Sequence, residues 1–69
     1  MLSNSPFTCH DRVLVTHHTT IWGKPIKRGA TGEVVRLWNN PQFDQSYIDI
    51  RLDDGQEILP FREEEIEKV

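Results

Sequence analysis

The stretch "YIDIRLDDGQEILPF" (residues 47–61) carries the clearest fold signal in the chain. Ile48, Ile50 and Leu52 alternate with polar residues, and this period of two predicts an antiparallel strand with one face on the core. The Asp-Gly pair that follows favours the positive φ values of a tight hairpin turn, so the next residues, "EIL", are predicted as the return strand. Pro60 cannot donate a backbone hydrogen bond, which predicts that this strand stops there or lies at a sheet edge.

Three more strands are predicted on either side of this hairpin. "RVLVTH" (12–17) and "GEVVRLW" (32–38) are rich in β-branched residues and too short for helices. "FREEEIEKV" (61–69) has helical propensity, but the proline at its entry favours one 3₁₀ turn followed by a short final strand. The count is therefore five short strands.

Five strands in so short a chain leave exposed sheet edges unless the sheet curls and closes. We therefore expect an all-β fold, a small five-stranded SH3-like barrel with a short 3₁₀ turn before the last strand. Residues 11–69 are predicted as its single domain. Residues 1–10 are predicted as an N-terminal arm that can be flexible.

Composition narrows the class of protein. The chain has 69 residues, and no apolar run approaches the ~20 residues of a membrane helix. The N-terminus lacks the basic and apolar regions of a secretory signal. Cys9 is the single cysteine, so the chain alone can form neither a disulfide nor a multi-cysteine metal cluster. These features favour an intracellular protein without a membrane span.

Charge is distributed unevenly along the chain. Residues 1–52 contain six Lys/Arg against four Asp/Glu, whereas residues 53–69 contain two against seven, for a formal net charge of −3. Nucleic-acid binders usually carry a basic excess, because cations replace the counterions of phosphate groups. The net negative charge of the chain therefore argues against nucleic acid as a partner.

The segment "HHTTIWGKPIKRG" (17–29) is predicted as an irregular surface loop after the first strand. Trp22 either folds back to cover the open end of the core or anchors a protein interface, where tryptophan is enriched. The cations of the loop are either solvated or steer an acidic partner. If the loop is a docking surface, the predicted interface residues are His18, Ile21, Trp22, Lys24, Lys27, Arg28, Trp38 and Phe43.

Catalytic and metal signatures are absent from the sequence. His17 and His18 are adjacent and would point to opposite sides of an extended backbone, so they are poor candidates to share a metal. Glu63–Glu65 is predicted as a solvated turn, since nothing apolar surrounds it to raise a pKa. Cys9 has no flanking group that would make it a strong nucleophile. We therefore predict no enzymatic activity, no catalytic residues and no metal or cofactor bound by this chain.

The order of these features resembles the variable (alpha) chain of ferredoxin–thioredoxin reductase. That family has a valine-rich first strand ending in a His-His pair, a loop with proline before a Gly-Glu-Val strand, and a closing Phe-Arg-Glu-x-Glu-Leu/Ile-Glu segment. The matching positions here are Val13–Val15, His17–His18, Pro25, Gly32–Val34 and Phe61–Glu67. The likeness spans about residues 11–69. Thr19–Thr20 replace the usual Pro-Glu pair, and segment 38–46 is shorter than usual.

The resemblance implies a non-catalytic accessory subunit with an SH3-like fold. Such a chain packs against a catalytic chain that holds a 4Fe-4S cluster and passes electrons from ferredoxin to thioredoxin, in a heterodimer. The compartment implied is the cyanobacterial cytoplasm or the plastid stroma. The alternative is a generic SH3-like interaction module of another electron-transfer or photosynthetic complex, or, less favoured, a nucleic-acid-binding barrel.

Overall fold

The computed structural model of this protein describes residues 6–69. Within this range, seven strands and one 3₁₀ turn follow one another along the chain. They are β1 Arg12–Val15, β2 Thr19–Ile21, β3 Lys24–Ile26, β4 Thr31–Asn40, β5 Gln45–Leu52, β6 Ile58–Phe61, the 3₁₀ turn Glu63–Glu65 and β7 Ile66–Lys68. The predicted all-β fold with a 3₁₀ turn before the last strand is confirmed. No helix in residues 6–69 has the length and apolar character needed to cross a membrane.

The strands form two sheets rather than one closed barrel. Five of them make an antiparallel sheet in the order β6-β5-β4-β1-β7, and β2 and β3 form a separate hairpin. The prediction of a closed sheet is therefore wrong, because β6 and β7 do not pair and remain as edges. Each edge has one outward position without a free donor. Pro60 has no N–H, and the N–H of Ile66 already donates to the carbonyl of Glu63.

The hairpin between β5 and β6 forms where the sequence places it. The N–H of Leu52 donates to the carbonyl of Glu57 at 2.8 Å and closes a four-residue turn. Gly55 takes a φ of 85° within that turn, which suits a residue without a Cβ. The alternation of ladder bonds from Leu52 onward points the nitrogen of Pro60 away from β5. The predicted edge position of Pro60 is thereby confirmed.

A bulge in β4 decides which side chains face the core. Val34 pairs with Ile50, but the next pair is Arg36 with Asp49, so Val35 is the extra residue. The bulge reverses the alternation, and Leu37, rather than Arg36 or Trp38, packs against the core. Trp38 consequently lies on the outer face of the sheet, opposite Tyr47.

The core is built from one face of each long strand. Ile48, Ile50 and Leu52 are buried together, as their alternation predicts, and Val34 is buried beside them. Phe7 is only 5% exposed, so the packed part of the chain includes a residue before position 11. Of the predicted N-terminal arm, residues 1–5 lie outside the described part of the chain. The buried residues are Phe7, Val13, Val15, Ile26, Val34, Ile48, Ile50, Leu52, Leu59, Phe61 and Ile66.

Candidate protein-docking surface

The segment predicted as an irregular loop contains a regular hairpin. Thr19, Thr20 and Ile21 of β2 pair with Ile26, Pro25 and Lys24 of β3. Only Trp22 and Gly23 connect the two strands, and their φ values are 53° and 79°. Two central residues with positive φ define a type I′ turn, the connection that matches the natural twist of a two-residue hairpin.

Trp22 is an unusual residue for this turn. Type I′ turns favour Asn-Gly and Asp-Gly, because a bulky residue at positive φ brings its Cβ too close to the backbone. The conformation costs about 1–2 kcal/mol for an ordinary L-residue. The side chain nevertheless remains 76% exposed, so it does not cover the open end of the core. Of the two interpretations of Trp22, the structure excludes the core-covering one.

The hairpin has an inward and an outward face. Ile26 is buried, and Ile21 packs against the core from the same side. On this face Lys24 also forms an ion pair with Glu57, next to the β5–β6 turn. His18, Thr20, Pro25 and Lys27 are exposed, and together with Trp22 we call them the outward face of the hairpin. Of the predicted interface residues in this segment, Ile21 and Lys24 therefore serve the fold, at least in part.

Two cations, Lys27 of the outward face and its neighbour Arg28, form no ion pair within residues 6–69. Lys27 and Arg28 are exposed, and neither has an ion pair or a side-chain hydrogen bond within residues 6–69. Arg36, the remaining Lys/Arg in this range without an ion pair, lies over the ring of Trp38. Lys27 and Arg28 are thus exposed cations without a direct ion pair, although Lys27 lines one groove together with Asp53, Asp54 and Glu57.

The other predicted interface residues lie elsewhere. Phe43 is 68% exposed in the turn between β4 and β5, at the end of these strands opposite the Leu52–Glu57 turn. At about 3.3 Å per residue, the length of β4 separates the two ends by roughly 30 Å. Lys24 is tied to the Glu57 end, so the structure does not bring the β2–β3 hairpin and Phe43 into one compact patch.

Trp38 is held by a network of its own. Its ring stacks on Tyr47 with centroids 4.8 Å apart, and its indole N–H donates to Asp49 at 2.9 Å. The Arg36 guanidinium lies 5.7 Å from the ring centroid, within range of a cation–π interaction. The sequence prediction missed these partners, because their approach to Trp38 depends on the bulge at Val35. A bulge has no reliable signal in a single sequence.

The same outer face carries an ionic cluster around Glu33. His10 hydrogen-bonds one carboxylate oxygen at 2.9 Å, and Arg51 donates to the other at 3.0 Å. These hydrogen bonds, first His10 and then Arg51, hold the pKa of Glu33 below its ordinary value. The outer face is therefore polar, but its charges and aromatic rings satisfy one another.

Across residues 6–69, no group of three or more His, Cys, Asp or Glu side chains is placed to hold a metal ion. Cys9 is exposed, with its sulfur 3.9 Å from the carbonyl of Val35.

Comparisons with protein-family models, curated proteins and solved structures found no significant match.

Proposed function

We propose that this chain is a non-catalytic accessory subunit that binds a partner protein through the outward face of the β2–β3 hairpin. The observation that carries the proposal is Trp22, exposed at the tip of a two-residue turn. Trp22 costs stability in its turn and is 76% exposed, so its burial contributes little to folding that could offset this cost. Exposed tryptophans on rigid elements are frequent hot spots of protein interfaces.

The rigidity of the hairpin supports binding. A two-residue turn leaves Trp22 little backbone freedom, and Thr19 fixes the base of β2 by donating to Glu65 at 3.0 Å. A partner that binds a fixed side chain loses less conformational entropy than one that must order a mobile loop. Trp22 is therefore preorganised to enter an apolar pocket.

The partner we propose is a catalytic chain similar to that of ferredoxin–thioredoxin reductase, which this sequence suggests by resemblance. The strand order, with a hairpin inside the first long connection and a 3₁₀ turn before the last strand, supports an SH3-like fold. A 4Fe-4S cluster requires several thiolate ligands, and this chain has Cys9 alone. The cluster would therefore belong entirely to the partner, in the cyanobacterial cytoplasm or the plastid stroma.

A binding titration tests the proposal. The full chain is titrated calorimetrically into the purified catalytic chain of a ferredoxin–thioredoxin reductase. We expect Trp22→Asn to weaken binding by about 2 kcal/mol, roughly 30-fold, because Asn keeps the turn but removes the anchor. Phe43→Asn is the matched control, since it removes an equally exposed aromatic from the opposite turn. Absence of binding by the wild-type chain would reject this partner, and equal effects of the two variants would reject the hairpin as the docking surface.

A further inference from the structure

A groove beside the base of the hairpin has properties that complement those of the hairpin. Pro6, Phe7 and Ile66 line a shallow groove of about 350 Å³ beside β7, and Glu63 and Glu67 stand beside them. Within residues 6–69, neither of these two carboxylates forms an ion pair or a side-chain hydrogen bond. Lys68 also lines the groove, and its ammonium group is paired with Asp11 at 3.5 Å. The groove therefore combines apolar side chains with two carboxylates that have no ion pair of their own.

We propose that two copies of this chain associate through these surfaces. Trp22 of one copy enters the groove of the other, and Lys27 and Arg28 face Glu63 and Glu67. The two surfaces are complementary in charge, because Lys27 and Arg28 follow the base of the hairpin that carries the indole, and Glu63 and Glu67 stand beside the groove. An indole and a groove supply affinity, while the charges fix orientation and speed the encounter.

The positions of the two surfaces allow a closed dimer. The hairpin is anchored beside the groove, since Thr19 at its base bonds to Glu65, between the two groove carboxylates in sequence. A patch that contains both a projection and its complementary recess can pair with itself about a two-fold axis. Each copy then contributes one hairpin and one groove, and the contact closes after two chains.

A second copy fits the hairpin better than an anionic polymer or a membrane surface does. The chain carries a net charge of −3, and its seven acidic residues beyond position 52 would repel phosphate groups. The dimer goes beyond the accessory function proposed above and does not depend on it, since it is measured on the pure chain. If both hold, the homodimer is a resting form whose hairpins become available when the partner chain displaces the second copy.

Sedimentation velocity on the pure full chain provides the first test. We expect the weight-average mass to rise toward that of a dimer as the concentration increases to about 1 mM. Trp22→Asn is expected to raise the dissociation constant at least tenfold, while its far-ultraviolet circular dichroism and melting curve show that it remains folded. Phe43→Asn should leave the dissociation constant unchanged. A wild-type chain that stays monomeric throughout, or a Trp22→Asn chain that associates as well as the wild type, overturns the proposal.

A charge exchange tests the pairing of the surfaces. The double variant Lys27→Glu/Arg28→Glu has negative hairpins, and Glu63→Lys/Glu67→Lys has positive grooves, so each should be monomeric alone. Mixed in equal amounts, they should form a dimer, because both contacts are again between opposite charges. The control mixture replaces the second variant by Asp44→Lys/Asp54→Lys, which carries the same charge change away from the groove. This control chain should self-associate like the wild type, and it should form no mixed dimer with Lys27→Glu/Arg28→Glu. Absence of a mixed dimer in the first mixture, or equal amounts of mixed dimer in both mixtures, overturns the assignment.

Discussion

The two tryptophans of this chain lie in two hairpins, the short β2–β3 hairpin and the long β4–β5 hairpin, and their surroundings are opposite. Trp38 stacks on Tyr47, donates to Asp49 and carries Arg36 over its ring. Trp22 has no such ring or side-chain partner within residues 6–69, and it occupies a turn position that disfavours it. The ring of Trp38 links β4 and β5, whereas the ring of Trp22 projects from the fold. An aromatic residue in a loop is thus informative about binding only when its partners within the fold are known.

The largest expected effect concerns the core beneath the Trp38 hairpin. Ile50 is fully buried and pairs with Val34 on one side and Leu59 on the other. Ile50→Ala should reduce the free energy of unfolding by about 2–5 kcal/mol, through lost burial and a cavity. Urea unfolding followed by fluorescence measures the change. Ile58→Ala, at a half-exposed position on β6, is the control and should cost much less. A small effect of Ile50→Ala would mean that the β4–β5–β6 sheet is not the stable centre of the molecule.

The next prediction addresses Trp38 itself. Trp38→Ala removes a stacked pair, a hydrogen bond and a cation–π contact, so it should lower the free energy of unfolding by about 2 kcal/mol. Its effect on association, in both the partner titration and the self-association assay, should be small. A double-mutant cycle with Tyr47→Ala should give a coupling energy of about 0.5–1.5 kcal/mol. Loss of binding without loss of stability would make Trp38 an interface residue instead.

Part of this contrast was predictable from the sequence. The alternation of Ile48, Ile50 and Leu52 located β5 and its buried face, and Pro60 located an edge strand. The β2–β3 hairpin was missed, because Trp-Gly is not a recognised type I′ pair and three-residue strands containing a proline show no period of two. The outward position of Trp38 was equally inaccessible, since it follows from one extra residue at Val35. A single bulge changes the face of every later side chain in its strand, and its energy depends on packing against β5 rather than on local propensity.

Trp22 should respond to substitution with the opposite sign to Trp38. Trp22→Asn places a favoured residue at positive φ, so the free energy of unfolding should stay constant or rise by up to about 1 kcal/mol. Thermal and urea unfolding of Trp22→Asn and Trp38→Ala compare the two regions directly. A destabilised Trp22→Asn chain would show that the indole supports the fold, and the docking surface would then lose its central residue.

The smallest expected effect on stability compares a charged side chain of the sheet with one of the hairpin. Glu33 lies on the same outer face as Trp38, and its pKa is lowered chiefly by the hydrogen bond from His10, with Arg51 second. A carboxylate whose pKa is lower in the folded than in the unfolded state stabilises the fold above its unfolded pKa of about 4.3. That stabilisation is lost as the pH falls through the lower, folded value.

Glu33→Gln should therefore unfold at a lower urea concentration than the wild type at pH 7, and the difference should shrink as acid protonates Glu33, because a neutral glutamate resembles glutamine. Lys27→Gln is the control from the hairpin. Its side chain has no ion pair or hydrogen bond in residues 6–69 to lose, so its urea midpoint should match that of the wild type at pH 7. If the urea midpoint of Glu33→Gln stayed below that of the wild type by the same amount in acid, the effect would come from packing. A lower urea midpoint for Lys27→Gln would mean that the hairpin cations already stabilise the fold. The expected result is a Lys27→Gln urea midpoint equal to that of the wild type, and a Glu33→Gln midpoint that is lower by an amount that depends on pH. The charged groups of the sheet would then stabilise the fold, and the cations of the hairpin would be free for binding.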